Sequence, residues 1–249
     1  MKARIGIIGG GTFGSILARF ARHQGHAVDV WDRGELYAGH HSAGYFFKDT
    51  GKGQEAKHML TAFGVSPVAR LLMVNGGNGR PVYVNHILPK DVIVKPEFRQ
   101  DPHEHSAAFA VGCYDVVVRA CGVWNPGDPV SYTAAALIHP GPCKFQSVYR
   151  RHVMNHADII QAVRDDYTGY FVSGEHVQTA NWTERDRARV RNIARGKGFP
   201  MDNSVLLEGR LTKKAKHLVQ EFDGELVIGG GGIVQAVDAA IEVLQRVNT

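Results

Sequence analysis

The spacing of apolar residues in the N-terminal part of the chain changes from a continuous run to a helical spacing and back to a continuous run. Residues 4–8 form a short apolar run, residues 12–23 place apolar side chains three and four positions apart, and residues 27–31 form a second apolar run that ends in Asp32. These periods predict a strand, a helix and a second strand, with a turn at Gly25. We therefore expect one β-α-β unit here.

The patterns further along predict a mixture of helices and strands. Residues 54–63 have a helical pattern, and residues 114–120 are apolar on both faces, as in a central parallel strand. Residues 130–177 alternate strand-like runs with polar turns, which predicts a separate and mostly antiparallel layer.

The last seventy residues add two predicted helices. A charged helix over residues 183–195 begins with Thr183 and Asp186, a spacing close to a capping box with Asp in place of Glu. An apolar run then leads into four glycines at 229–232, and residues 234–247 have the pattern of a final helix. The alternation of strands and helices predicts an α/β fold.

Composition places few further limits on the protein. The 249 residues are 44% hydrophobic, which is enough for a sizeable core. We find no run of eighteen uncharged apolar residues and no signal peptide pattern, so we expect no contact with a membrane and a cytoplasmic location. Cys113, Cys121 and Cys143 have no zinc-ligand spacing, and we expect reduced, mostly buried thiols.

The charge balance suggests an anionic partner without identifying it. The formal net charge is +5, and basic residues cluster at 185–195 and 213–216. A cofactor pyrophosphate, an acidic substrate and ordinary solubility are all compatible with this balance. The two clusters indicate either solvated helix faces or a nucleic-acid surface.

A glycine motif lies between the first strand and the first helix. Gly9, Gly11 and Gly14 fit the pattern GxGxxG, and Asp32 follows eighteen residues after Gly14. In a dinucleotide site such glycines allow a tight turn, approach of the pyrophosphate and close helix packing, while the acidic residue binds ribose hydroxyls. The motif predicts dinucleotide binding, against the alternative of a purely structural turn, and Asp32 disfavours the extra phosphate of NADP.

The second glycine turn, in "LVIGGGGIVQAVDAA", favours a flavin over a nicotinamide cofactor. Reduction of a flavin places negative charge on the N1 and C2 carbonyl edge of its ring. A glycine-rich helix N-terminus stabilises that charge through its backbone N–H groups. The alternative is a strand end and a packing helix that bind no ligand.

Five segments follow one another along the chain: "IGIIGGGTFGSILARFARHQGHAVDVWD", "HHSAG", "YDVVVRACGVWNP", "DDYTGYFVSGEH" and "LLEGRLTKKAKHLVQEFDGELVIGGGGIVQA". In the same order they resemble segments of the glycine oxidase and D-amino-acid oxidase-like family of FAD-dependent oxidoreductases. Departures are Asp32 for the usual Glu, Cys121 and Val123 in the Ala-Gly-Ala-Trp-type turn, and a basic 211–214 segment in place of Pro and Asp. The chain is also shorter than typical members.

The resemblance implies a Rossmann-like FAD-binding domain with a parallel sheet and helices, plus a small, reduced antiparallel substrate-binding layer. The FAD-binding domain would be discontinuous, over residues 1–75, 104–129 and 200–249, and the reduced cap would cover 76–103 and 130–199. The cofactor is expected to be FAD. The implied FAD-binding residues are Gly9, Gly11, Thr12, Phe13, Gly14, Asp32, Arg33, His41, Ser42, Ala43, Gly44, Ala120, Gly122, Trp124, Gly209, Arg210, Gly230, Gly231, Gly232 and Ile233.

The resemblance also implies the chemistry, which is hydride transfer from the carbon beside an amine nitrogen to flavin N5. Arg210 is the candidate for binding an acidic group of the substrate, since a guanidinium pairs with a carboxylate through two hydrogen bonds. Tyr170 and His41 are further candidates near ring or substrate, and Arg150 and Arg151 are alternates to Arg210. No metal site is expected, because adjacent histidines such as His40 and His41 point in different directions.

Three functions stay open at this level. The first is oxidation of a C–N bond in a small amine or glycine-like amino acid. The second is a flavoenzyme of the same fold that acts, as oxidase or lyase, on an amino-acid-derived group attached to a modified nucleobase in DNA, for which a shortened cap would leave room. The third is a non-catalytic dinucleotide-binding module.

Overall fold

The structure is a computed structural model, which describes residues 2–32, 45–74, 81–87, 92, 98–100, 112–122, 125, 131–140, 148–149, 157–163, 167–174, 183–196, 199–212 and 217–249. In these ranges the helices are α1 (Thr12–His23), α2 (Lys52–Ala62), α3 (Glu184–Gly196) and α4 (Ile233–Val247). None of them is long and apolar enough to cross a membrane.

The first sheet has six strands and is mostly parallel. Its order is β13 (Val219–Phe222), β14 (Glu225–Ile228), β7 (Val116–Arg119), β1 (Arg4–Ile8), β2 (Ala27–Asp32) and β6 (Phe98–Gln100). All neighbours are parallel except the β13–β14 hairpin. Strands from both ends of the described chain therefore meet beside β7 in one sheet.

One face of this sheet is covered by the first and last helices. Helices α1 and α4 pack against each other, and both have an apolar stripe of period 3.6 that faces the sheet. The core beneath them is fully buried: Ile5 and Ile7 of β1 are 0% exposed. The helices also contribute small buried side chains to this core, such as Ala21 of α1 and Ala240 of α4.

The opposite face of the sheet is covered in part by Tyr114. A Cβ on Gly6 would lie 2.7 Å from the Tyr114 ring, so the missing side chain at Gly6 leaves room for it. The Tyr114 hydroxyl donates to Asp29 Oδ2 at 3.0 Å and accepts from Trp31 Nε1 at 3.0 Å. These bonds fix the ring across β1 and β2.

The second sheet has eight strands and is mostly antiparallel. Its order is β12 (Val205–Thr212), β8 (Ser131–Pro140), β11 (Tyr167–Gly174), β10 (Ala157–Val163), β9 (Val148–Tyr149), β4 (Val68–Val74), β5 (Pro81–Ile87) and β3 (Tyr45–Lys48). The β4–β9 pair is parallel, and the other neighbours are antiparallel.

The two sheets share a core at the β3 edge. Phe47 of β3 and Ile87 of β5 belong to the same buried cluster as α1 and α4, together with Leu60 of α2. The antiparallel layer is therefore attached directly to the helices of the parallel sheet.

A polar group lies beside this shared core. Asp49 Oδ2 accepts a hydrogen bond from Lys57 Nζ at 2.8 Å, and this bond is the main reason that the pKa of Asp49 is lowered. Asn85 is completely buried, and its amide atoms and Asp49 Oδ1 have no partner within hydrogen-bonding distance. The Asn85 amide also contributes, weakly, to the lowered pKa of Asp49, so the two side chains lie close to each other.

The predicted fold class is confirmed, and the predicted elements are found with small shifts at their ends. Residues 54–63 were expected as a helix and α2 is Lys52–Ala62, while the charged helix 183–195 is α3, Glu184–Gly196, with Thr183 just before it. The expectation of mostly buried thiols is wrong for Cys113, which is exposed. Cys121 is half-buried, and Cys143 lies outside the described residues.

The predicted domain boundaries stay a prediction, because sheet membership alone does not define a domain. Strands β3, β4 and β12 come from segments assigned to the FAD-binding domain, and they lie in the eight-stranded sheet. Strand β6 comes from a segment assigned to the cap, and it pairs with β2 in the parallel sheet.

Candidate functional site

The candidate site is the edge of the parallel sheet at which β14, β7, β1 and β2 end. All four strands run in the same direction, so their carboxyl ends lie side by side. Two glycine turns leave this edge, one from β1 into α1 and one from β14 into α4. Ligands of open α/β sheets bind outside the carboxyl ends of the strands, which makes this edge the place to look for one.

The first turn is held tightly by the protein's own backbone. Gly9 has φ +101°, and a Cβ there would lie 2.6 Å from the carbonyl oxygen of Ala120. A Cβ on Gly14 would lie 1.9 Å from the carbonyl oxygen of Gly9. Both positions therefore require glycine whether or not a ligand binds.

The start of α1 offers an uncapped helix N-terminus. Gly11 is the N-cap residue, no side chain caps it, and the first turn of α1 has no acidic residue. The N–H of Gly10 donates to Asp32 Oδ2 at 2.6 Å, which ties the turn to the end of β2. A carboxylate accepts at both oxygens, so Asp32 can bind a ribose hydroxyl while it keeps this bond.

The second turn begins at the end of β14. Gly229 N–H donates to the carbonyl oxygen of Leu218 at 2.7 Å, which fixes the turn to the β13 side. At the N-cap of α4, Gly232 N–H donates to Gln235 Oε1 at 2.9 Å. One backbone donor of this helix end is thus already bonded within the chain.

Asn125 joins the turn after β7 to the neighbouring strands. Its side chain is buried, its Oδ1 accepts from Cys121 N–H at 3.0 Å, and its Nδ2 donates to Ile228 O at 2.6 Å. Cys121 Sγ in turn lies 3.3 Å from the carbonyl oxygen of Ile8. The ends of β1, β7 and β14 are therefore connected by side chains as well as by the sheet.

An ion pair links β7 and β14 just below this edge. The Arg119 guanidinium is paired with both carboxylate oxygens of Glu225, whose side chain is 9% exposed. Because the pair is mutually neutralised and mostly buried, Arg119 adds little net charge to the edge.

Most predicted cofactor residues lie at this edge or in the first turns of α1 and α4. These are Gly9, Gly11, Thr12, Phe13, Gly14, Asp32, Ala120, Gly122, Gly230, Gly231, Gly232 and Ile233. Other predicted site residues lie outside the described residues: Arg33, His41, Ser42, Ala43, Gly44, Trp124, Arg150 and Arg151. Contact of any of these residues with a ligand stays a prediction.

The remaining predicted residues lie in the antiparallel sheet. In the register of the strands, Arg210 of β12 is opposite Thr133 and Tyr170 of β11 is opposite Leu137. Gly209 precedes Arg210 and is opposite Ala134. Arg210 and Tyr170 are offset by four residues along the strands, about 13 Å, and by two strand spacings, about 10 Å. Their roles at a substrate stay a prediction.

Sequence reasoning missed four residues that organise the edge. Gln235 could have been found, since a Gln three residues after an N-cap is half of a capping box. The bond from Asn125 Nδ2 to Ile228 O and the Arg119–Glu225 pair have no local signal, because each joins residues more than one hundred positions apart in the sequence. Among the described residues, no group of three His, Cys, Asp or Glu side chains could hold a metal ion.

Comparison with known proteins identifies the fold. Glycine oxidase from Bacillus cereus matches over 99% of this chain and 95% of its own, with a TM-score of 0.64 and 11% identity. An FAD-dependent oxidoreductase from Pseudomonas aeruginosa matches over 100% and 91%, with a TM-score of 0.63 and 15% identity. This chain has their fold.

A third neighbour shows how varied the proteins of this fold are. A peptidyl tryptophan dihydroxylase essential for tryptophylquinone cofactor biogenesis matches over 100% of this chain and 67% of its own, with a TM-score of 0.60 and 14% identity. No protein-family profile matches the sequence, and no curated protein matches it. At these identities the likeness shows the fold, and membership of the glycine oxidase-like family stays a prediction.

Proposed function

We propose that this chain is an FAD-dependent oxidoreductase that oxidises the C–N bond of a small amine or a glycine-like amino acid. The observation that carries the proposal is the position of two glycine turns at one edge of one sheet. Strand β7 separates them, so the turns lie about 10 Å apart, and a ligand that contacts both must be extended. A dinucleotide has that length, with its pyrophosphate at one turn and its ring at the other.

The charges at this edge favour a flavin over a nicotinamide ring. Helices α1 and α4 both begin at the edge, and each N-terminus carries about half a positive charge. At α1 this charge suits a pyrophosphate. At α4 it suits the anionic edge of a reduced flavin, whereas it would repel the cationic ring of an oxidised nicotinamide.

Each part of the edge has a role in holding such a cofactor. The chain would bind the pyrophosphate at the N-terminus of α1, the ribose at Asp32 and the flavin ring at the N-terminus of α4. The chemistry that bound FAD supplies is acceptance of a hydride at N5 from the carbon beside the amine nitrogen. The protein's own task is then to orient the substrate and exclude water.

Arg210 is our candidate for orienting the substrate. It lies on β12 of the antiparallel sheet, which is attached to the parallel sheet through the shared core. An arginine there would bind the carboxylate of an amino acid through two hydrogen bonds and hold its α-carbon in one position. The amino-acid preference of glycine oxidase, one of the neighbours in fold, is compatible with this role.

The proposal is tested on the purified protein. We expect a yellow protein with the absorbance of oxidised flavin at about 450 nm. Glycine or sarcosine should abolish this absorbance in the absence of oxygen. A colourless protein that binds NAD and refuses added FAD would overturn the cofactor assignment. Bound flavin that no amine reduces would overturn the oxidase assignment and support a non-catalytic module.

A matched pair of variants tests the position of the cofactor. Gly11→Val places a branched side chain at the N-cap of α1 and should abolish flavin binding, since the pyrophosphate could no longer approach the backbone. Gly112→Val is the control, because a Cβ at that position meets nothing within 4 Å. If both variants retain flavin equally, the pyrophosphate does not bind at this turn.

A further inference from the structure

Helix α3 carries a concentrated positive charge that the flavin site does not use. Its thirteen residues, ERDRARVRNIARG, contain five arginines, one glutamate and one aspartate, so the net charge is 5 − 2 = +3. Both acidic residues lie in the first turn, while the arginines continue to the last turn. Most of the exposed length of the helix is therefore cationic.

The two acidic residues are engaged at the N-terminal end. Glu184 pairs with Arg187 at 2.5 Å, and Asp186 accepts from the N–H and the hydroxyl of Thr183 at 2.9 and 2.6 Å. Arg185, Arg189, Arg191 and Arg195 are exposed. The pKa of Asp186 is lowered, first by the Thr183 hydroxyl and less by the charges of Arg185 and Arg189, so these two arginines also lie near its carboxylate. Arg195 donates to Asn192 Oδ1 at 3.1 Å.

Burial of the opposite side of α3 fixes the direction of these arginines. Val190 is 4% exposed and Ala194 is 0% exposed, and α3 contacts β8 of the antiparallel sheet. At 100° per residue, the exposed arginines form two rows on the side away from Val190 and Ala194. Row one is Arg185 and Arg189, and row two is Arg191 and Arg195.

The four arginines of these two rows form the arginine face of α3. The chemistry of this face favours one class of polyanion. A protein partner or a lipid surface requires apolar anchors. Between the two rows lie Ala188 and Asn192, so Ala188 is the one apolar side chain that the helix offers there. Single-stranded nucleic acid is bound by stacking on aromatic rings, and α3 has no Phe, Tyr or Trp. Arginines at four-residue spacing on a rigid helix suit the regularly spaced phosphates of a duplex.

We infer that the arginine face of α3 docks duplex DNA through its phosphates, without reading base sequence. DNA is favoured over duplex RNA, since an α-helix fits the major groove of B-form DNA and the A-form major groove is too narrow to admit one.

The location of α3 connects this surface to the proposed site. Strand β8, which α3 contacts, lies between β11 with Tyr170 and β12 with Arg210. DNA held on α3 would lie beside the sheet that we propose to orient the substrate. The DNA-binding inference goes beyond the proposed oxidase function and depends neither on that function nor on bound flavin.

The experiment measures binding of the whole protein to a fluorescent duplex of about 20 bp by anisotropy, between about 50 and about 200 mM NaCl. Four arginine contacts predict a slope of log K against log salt of about −3.6. The row-one variant Arg185→Gln/Arg189→Gln and the row-two variant Arg191→Gln/Arg195→Gln should each reduce that slope by about 1.8 and weaken binding roughly tenfold at low salt. Glutamine keeps a high helix propensity, so α3 should stay folded.

The control variant is Lys2→Gln/Lys48→Gln, which removes the same charge from exposed positions outside α3. It should leave the slope unchanged. If this control lost as much affinity and as much of the slope as the α3 variants, the inference would be overturned, because net charge alone would then explain binding. Absence of salt-dependent binding by the wild type, or tighter binding of duplex RNA or of anionic vesicles than of DNA, would also overturn it.

Discussion

At the scale of single residues, Gly14 shows that part of the glycine motif is required for packing of the chain and not for binding a ligand. A Cβ there would lie 1.9 Å from Gly9 O and 3.2 Å from Ile7 Cγ2, both parts of the chain's own β1 and turn. The motif at Gly9 and Gly14 is therefore explained by packing alone. Evidence for a dinucleotide comes from Gly11, Asp32 and the helix N-terminus.

We predict that Gly14→Ala reverses the usual effect of alanine in a helix. Glycine to alanine normally stabilises a helix interior by about 1 kcal/mol. Here the added methyl group would force α1 away from β1 and should destabilise the protein by about 3 kcal/mol. The measurement is the urea midpoint of unfolding.

The control for Gly14→Ala is Gly112→Ala, where a Cβ would meet open space. It should change stability by less than about 0.5 kcal/mol. A Gly14→Ala protein as stable as this control would mean that α1 and β1 are less closely packed than the structure shows.

Asp49 should contribute to the acid sensitivity of the protein. Its pKa is lowered, first by the hydrogen bond from Lys57, so the folded chain binds fewer protons than the unfolded chain just below about pH 4. The stabilisation is complete above the ordinary pKa of aspartate and is lost as the pH falls through the lowered value. Asp49→Asn should therefore lose less stability than the wild type between pH 6 and pH 3, measured by urea unfolding.

Asp202→Asn is the matched control for this pH dependence, because it changes an exposed aspartate in the same way. If Asp49→Asn and Asp202→Asn behaved alike, the Lys57 contact would not persist in solution.

At the scale of elements, Asn125 couples the turn after β7 to β14. Asn125→Ala would leave Ile228 O and Cys121 N–H without their side-chain partner in a buried place. Loss of these bonds should cost about 1 to 3 kcal/mol and loosen the edge at which we propose that FAD binds. We therefore expect a lower urea midpoint and weaker flavin affinity.

A suitable comparison is Asn192→Ala, on the exposed side of α3. This change should alter stability by less than about 0.5 kcal/mol and leave flavin affinity as it is. Flavin binding that is unchanged in Asn125→Ala would show that the Asn125 bonds do not shape the cofactor site.

Local sequence predicted α1, α4 and four of the six strands of the parallel sheet, because their signals are local, and it did not predict β6 and β13. The helical period of α1 and α4 and the doubly apolar run of β7 each lie within one short segment. The order β14-β7-β1-β2 was not predictable in this way, since β14 and β7 are joined across about one hundred residues. The same holds for the bond from Asn125 Nδ2 to Ile228 O.

At the scale of the whole molecule, the sequence predicted an antiparallel layer and did not predict its extent. The resemblance implied a small layer, and the second sheet has eight strands. Alternation of apolar and polar residues marks a strand, but it does not show which sheet the strand joins. Strand β12, for example, pairs with β8, about seventy residues earlier in the sequence.

The pairing of α1 with α4 has a consequence for synthesis on the ribosome. Helix α1 leaves the ribosome early, while α4 and β14 follow only after about two hundred further residues. At roughly 5 to 20 residues per second, the apolar stripe of α1 waits on the order of 10 to 40 seconds for its partner. During that interval the apolar stripe of α1 is exposed on the nascent chain. We expect a chaperone that binds exposed apolar surface to reduce aggregation of the chain at this stage.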